Sequence, residues 1–228
     1  MNPRDPNVQQ LQLVAGALQD LCQSLVFVGG CVAGVLITDA TRPPVRATQD
    51  VDLLAELASK VALYQLQSKL RSLGFQEDPD IYCRWRFKNL KVDVMATEES
   101  VMNFTNRWYG EAMTHSVQVT LPDGKSIRQI TAPYFIATKL EAFHDRGNGD
   151  YMSHDMEDIV NVIDGRAEII AEIESSAESV RLYLRNEFDD LLADPTFVDS
   201  LRGHFQPSAL EQQRVEPLVV RLRQIAGL

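Results

Sequence analysis

The stretch "RATQDVDLLAEL", residues 46–57, sets Asp50 and Asp52 two positions apart in an otherwise apolar run. In a strand, successive side chains alternate between faces, so both carboxylates point one way while Val51 and Leu53 point the other, toward a core. Two like charges this close oppose each other unless a cation stands among them. The pair is therefore either a solvated strand face, which is common for acids, or the ligand pair of a cation. Its sequence neighbours decide between these.

Upstream, "LVFV" (25–28) reads as a short strand ended by Gly29-Gly30, and "CVAGVLITD" (31–39) reads as a helix. Glycines in a strand-to-helix turn let backbone N–H groups approach a phosphate, and a helix N-terminus favours negative charge. Downstream, "KVDVM" (91–95) places Asp93 between Val92 and Val94, again one acid in an apolar strand. A sheet that gathers Asp50, Asp52 and Asp93 would form a hard-oxygen cluster suited to Mg²⁺ or Mn²⁺. Divalent ions bridged by carboxylates hold a triphosphate and activate an attacking hydroxyl. Each signal alone is weak. The ordered set of Gly-Gly turn, D-x-D strand and later single acid is far more specific.

The rest of the chain predicts an α+β fold. An amphipathic helix is expected over 8–23 and another over 58–73, stopped by Gly74. Strands are expected near 81–88 and 91–95, joined across Asn89-Leu90, and a hairpin over 117–130 turns at Pro122-Asp123-Gly124. Residues 98–110 begin helical and turn irregular. From Pro133 the periodicity becomes helical, over 133–145, 154–164, 167–193 and 208–226. The organisation expected is an α+β domain over 1–130 followed by a helical C-terminal domain over 131–228, with no internal repeat.

Composition narrows the function classes. The 228 residues are 45% hydrophobic and 24% charged, an ordinary globular balance. No apolar run approaches the roughly 18 residues a membrane span needs, and the polar start "MNPRDPNVQQ" lacks the pattern of a signal peptide. Cys22, Cys31 and Cys83, an odd number without a C-x-x-C pair, read as free thiols in a reducing cytoplasm. A net charge of −10 argues against a broad nucleic-acid footprint. A local exception is "CRWRFKNLK" (83–91), with Arg84, Arg86, Lys88 and Lys91 around Trp85 and Phe87, which reads first as a solvated basic strand. His115, His144, His154 and His204 have no metal spacing, and Ser24, Ser116 and Ser126 lack a nucleophile-elbow context.

The ordered set resembles the nucleotidyltransferase superfamily with the DNA-polymerase-β-type palm, in which a G-G or G-S turn precedes h-D-x-D-h and a third acid. The second half sharpens the likeness. "KLEAFHDR" (139–146) is similar to the K-x-x-A-x-x-x-R motif of the AbiEii/AbiGii-type nucleotidyltransferases, the group that includes the MenT toxins. "HDMEDIVNVI" (154–163) is similar to their D-x-x-D segment, and "RATQDVDL" to their R-x-[ST]-x-D-h-D-h. The likeness covers about residues 25–164. Two positions depart from it: Cys31 stands where a hydroxyl often follows the glycines, and His154 where a more basic residue usually precedes the acid.

The resemblance implies a mixed sheet with flanking helices and transfer of a nucleoside monophosphate from an NTP to an acceptor hydroxyl. It implies Asp50, Asp52 and Asp93 as ligands of Mg²⁺ or Mn²⁺, with Asp93 also able to take a proton. It implies Gly29, Gly30 and Thr48 at the nucleotide, Lys139 on its phosphates and Asp158 orienting Lys139. Lys139 and Arg146, seven apart, share one helical face, and Arg146 is placed to pair with Asp155 or Asp158. The acceptor is either RNA, such as a tRNA end, in a toxin-like enzyme with a cognate antitoxin, or a small hydroxylated molecule such as an antibiotic. A nucleotide-binding protein without turnover is the third reading, which three intact acids weigh against.

Overall fold

A computed structural model describes residues 3–228; Met1 and Asn2, which begin the polar N-terminal stretch, lie outside the described residues. The chain divides into two compact units. One comprises the residues up to Val35 together with Pro44–Thr131; the other comprises Leu36–Pro43 and Ala132–Leu228. A single boundary near residue 130 does not capture the excursion over 36–43.

Among the described residues the first unit carries seven strands: β1 Leu25–Val28, β2 Asp50–Ala55, β3 Gln76–Glu77, β4 Arg84–Phe87, β5 Leu90–Ala96, β6 Val117–Thr120 and β7 Ser126–Gln129. They form one mixed sheet in the order β3-β4-β5-β2-β1-β7-β6, as the resemblance implies. β2 lies antiparallel to β1 and parallel to β5. β1 is wholly buried, consistent with its unbroken apolar run at mid-sheet. On β2 and β5 burial alternates instead, with Val51, Leu53, Val92 and Val94 in the core and the acids half-buried.

The helices of this unit are α1 Pro6–Leu18, α2 Ala33–Leu36, which runs into the excursion, α3 Lys60–Ser72, α4 Glu99–Met102 and α5 Tyr109–Thr114. Asp5 caps α1 and Ser59 caps α3. The expected 8–23 helix ends at Leu18 and continues as a 3₁₀ segment over Gln19–Ser24. The expected helix after the glycines is a 3₁₀ turn at Gly30–Val32 followed by the short α2.

The second unit is helical: α6 Ala132–Arg146, α7 His154–Gly165, α8 Ile169–Ser175, α9 Glu178–Ala193, α10 Pro195–Ser200, α11 Ala209–Gln212 and α12 Val215–Ala226. Phe135, Ile136, Leu140, Ile159, Leu184, Phe188, Leu218 and Leu222 fill its core. Two expected helices are interrupted. The 167–193 helix breaks at extended Ser176, where the Ser175 and Ser176 hydroxyls donate to the Glu172 and Ile173 carbonyls in competition with helical bonding. The 208–226 helix breaks before Pro217, which sits in the first turn of α12, where its missing N–H is harmless.

The 36–43 excursion is tied in by polar contacts. Thr38 and Asp39 N–H donate to the Gly165 carbonyl at 3.0 and 2.9 Å, and Arg42 reaches Asp164 at 3.0 Å and Asn161 at 2.7 Å. A Cβ on Gly165 would stand 2.9 Å from Ile37, so this glycine serves close packing as well as ending its helix. Among the described residues no helix is long and apolar enough to cross a membrane.

Candidate active site

Strand register brings the three acids together. β2 and β5 pair in parallel with Asp52 beside Asp93 and Asp50 beside Lys91. Adjacent strands lie roughly 4.8 Å apart, so registered residues present their side chains to the same face as neighbours. Asp50, Asp52 and Asp93 therefore share one face, as the alternation predicts. On the other side of β5, antiparallel β4 sets Arg84 opposite Asp93 and Arg86 opposite Lys91.

Gly29 closes the cluster from β1. Val28 registers with Asp52, and Gly29 follows with φ 69°. A Cβ built there would stand 1.8 Å from Asp52 Oδ2. The first glycine is thus required by the carboxylate beside it as well as by its backbone conformation. Gly30 opens the 3₁₀ turn.

The approach to β2 is held by α1. Asn7, fully buried, accepts from Thr48 N–H and donates to the Arg46 carbonyl, both at 3.0 Å. Gln10 donates to the Thr48 carbonyl at 2.6 Å. The Thr48 hydroxyl accepts from Asp50 N–H at 3.1 Å. Thr48 therefore shapes the chain that presents Asp50. Helical periodicity gives no hint of Asn7, because its partners lie on a loop 39 and 41 residues away.

Cations supply the charge balance that the paired acids require. The Arg84 guanidinium forms a two-pronged pair with Asp93, Nε to Oδ1 at 2.8 Å and an Nη to Oδ2 at 2.7 Å. Hydrogen bonding to Asp93 pushes the Arg84 pKa above its ordinary value, against burial. Lys91 Nζ stands 3.7 Å from Asp50 Oδ1. Arg86 pairs with Asp78 at 2.7 Å, and Phe87 stacks on Phe75 with ring centroids 4.7 Å apart. The basic strand is thus largely paired. Its connection to β5 is Lys88-Asn89, since Phe87 registers with Leu90, one residue earlier than expected.

The donor set partly fits a divalent ion. Asp50 Oδ1 is covered and no hydrogen-bond donor reaches it, and Asp52 faces the glycine turn. Both offer hard oxygens of the kind Mg²⁺ and Mn²⁺ take. Asp93 spends both its oxygens on Arg84. Consistent with that, no three His, Cys, Asp or Glu side chains among the described residues are gathered as tightly as a bound metal would hold them.

Lys139 and Asp158 belong to the second unit. Lys139 on α6 is buried, 9% exposed, with Nζ 3.0 Å from Asp155 Oδ1 and 2.6 Å from Asp158 Oδ2 on α7. Burial alone would lower the Lys139 pKa, but Asp158 and Asp155 outweigh it and the net direction is upward. Arg146 grips Asp155 at 2.8 and 2.9 Å, one of the two pairings expected. Burial works to raise the Asp155 pKa, and the bonds from Arg146 and the charge of Lys139 hold it below the usual range.

No family model matches the chain, and no curated protein matches it in sequence. Solved structures do. An antigenic nucleotidyltransferase-like protein from Paracoccidioides brasiliensis is similar at a TM-score of 0.50 and 15% identity, over 87% of this chain and 92% of that one. The antibiotic-resistance factor ANT(2'')-Ia is similar at 0.46 and 16% identity, over 82% and 95%. JHP933 from Helicobacter pylori is similar at 0.48 and 13% identity, over 100% and 94%. At such identities the likeness is one of fold: this chain has the fold of a nucleotidyltransferase-like protein.

Proposed function

We propose that the chain is a metal-dependent nucleotidyltransferase of the AbiEii/AbiGii type, moving a nucleoside monophosphate from an NTP to an acceptor hydroxyl with release of pyrophosphate. The observation that carries this is the parallel register of β2 and β5, which sets three carboxylates on one face beside the Gly29 turn.

Asp50 and Asp52, with Asp93 as the third carboxylate, would hold the divalent ion. When bound there, the ion would supply charge neutralisation at the triphosphate and would lower the pKa of the acceptor hydroxyl. The acceptor oxygen bonds to the α-phosphorus, the bond from that phosphorus to the pyrophosphate oxygen breaks, and the hydroxyl proton passes to Asp93. The Gly29-Gly30 backbone lies against the phosphates, with Thr48 fixing the Asp50 strand end. The resemblance assigns Lys139 to phosphate and Asp158 to orienting it. The 2.6 Å pair between them supports the orienting role. Two bound carboxylates and 9% exposure make bracing the stronger role of Lys139 itself.

One observation favours a small hydroxylated acceptor over an RNA end and a toxin role. Arg84 and Arg86 on β4 each pair with an acid of this unit, Asp93 and Asp78, at 2.7 Å, and Lys91 on β5 stands 3.7 Å from Asp50. A strand so paired offers little free charge to a phosphate backbone.

The test is incubation with Mg²⁺ and each labelled NTP in turn, with total tRNA or a panel of antibiotics and other hydroxylated small molecules as acceptor. Transfer that falls by about a thousandfold or more in Asp50→Ala, a scale typical of lost charge stabilisation, supports the reading. Label on tRNA alone would favour the toxin-like enzyme. Absence of nucleotide and metal binding would sink it.

A further inference from the structure

The Arg84–Asp93 pair sits where the proposed chemistry needs a free carboxylate. Both oxygens of Asp93 accept from one guanidinium, at 2.8 and 2.7 Å. Two-pronged pairing of this kind is the strongest geometry a carboxylate finds with a side chain. The pair is part-open, with Arg84 18% and Asp93 14% exposed at the side chain, so exchange with solvent ions is sterically open. It is also built in: the antiparallel β4–β5 register fixes Arg84 opposite Asp93, and the parallel β2–β5 register fixes Asp52 on the other side of Asp93. Arg84, Asp93 and Asp52 thus stand in one row across three strands, a cation at one end and the D-x-D pair at the other.

We propose that Arg84 is a resident counter-cation of the carboxylate cluster, holding Asp93 until a divalent ion displaces it. The inference rests on the metal-dependent reading above. An arginine and a divalent ion compete for the same two oxygens, so each weakens the binding of the other. Arg84 balances the acids before the ion arrives and keeps Asp93 in one rotamer. Its release frees a guanidinium next to the site at the step when a triphosphate brings negative charge. Arg84 acts through Asp93 and is a positioning residue.

The experiment is Mn²⁺ binding to the full chain without nucleotide, followed by electron paramagnetic resonance of the free ion. Arg84→Gln is expected to bind Mn²⁺ about tenfold tighter than the wild type, since it removes both a competitor and a like charge. Arg84→Lys, which keeps the charge but loses the fork, falls between them. Arg86→Gln, whose partner is Asp78, leaves the affinity unchanged. Far-ultraviolet circular dichroism checks that each variant is folded, and Arg84→Met replaces Arg84→Gln should the latter fail to fold.

Asp52→Asn separates the two ideas. If it abolishes Mn²⁺ binding while Arg84→Gln binds no tighter than the wild type, the counter-cation role is overturned and the metal site stands. If Asp52→Asn has no effect on Mn²⁺ binding, or no variant binds the ion, the metal reading falls and this inference with it.

Discussion

Two clusters in this molecule are made of the same parts and behave differently. In the second unit Lys139, Arg146, Asp155 and Asp158 form a closed set: two cations share two acids, Asp155 and Asp158 are buried, and the pairings run from 2.6 to 3.0 Å. In the first unit Arg84 grips Asp93, and Lys91 stands 3.7 Å from Asp50. Lys91 is too far from Asp50 for a hydrogen bond and Asp50 Oδ1 has no donor. The closed cluster has already met its electrostatic needs. The open one is looser: Lys91 and Asp50 stand 3.7 Å apart and are 48% and 41% exposed at the side chain. An acid-base cluster on its own is therefore poor evidence of catalysis, and what distinguishes these two is how tightly and how deeply their charges are paired.

Lys139→Met strikes the closed cluster hardest. It leaves Asp158 buried without its partner, and a loss of about 3–5 kcal/mol is expected, read from chemical denaturation. Were Lys139→Met as stable as the wild type but inactive, the lysine would belong to the site and the contrast would break.

Gly29→Ala attacks the open cluster through its backbone. The added methyl would overlap Asp52 Oδ2 and sit at positive φ, so a loss of about 3 kcal/mol together with collapse of transfer activity is expected. Asn7→Ala removes two buried hydrogen bonds to the loop before Asp50. It is expected to cost about 2 kcal/mol and to raise the KM for NTP more than it lowers kcat, in steady-state assays.

Acid gives the mildest test. Asp155 has its pKa lowered in the folded chain, so its contribution is complete above the unfolded value of about 4 and fades as pH falls through the folded one. Lys139 has its pKa raised, so its contribution holds below about 10.5 and fades above. The stability difference between the wild type and Asp155→Asn should thus be flat across neutral pH and shrink in acid. A difference that already changes between about pH 5 and 7 would contradict the closed set.

Much of the open cluster was legible in the sequence because strand alternation is local. Val51, Leu53, Val92 and Val94 mark the buried face, and the acids between them mark the other. Arg84 was legible too, had the turn been placed at Lys88-Asn89, because the hairpin register then sets residue 84 opposite 93. Placing it one residue later shifts the register and hides the pair. The Asn7 clamp and the 36–43 excursion were not legible. Their partners lie far along the chain, and nothing in composition or periodicity encodes a contact between a loop and a distant helix end. The breaks at Ser176 and before Pro217 were visible as residue types, but apolar periodicity runs through both and masks them.

The excursion also bears on how the chain is made. Arg42 waits for Asn161, 119 residues on, and Asp39 for Arg214, 175 residues on. During synthesis the segment between the glycine turn and the D-x-D strand emerges well before these partners do. At about 5–20 residues per second that is a wait of roughly 6 to 35 seconds. For that interval Ile37 and the Arg42 stem lack their native cover, and in a fragment cut at 131 they would lack it permanently.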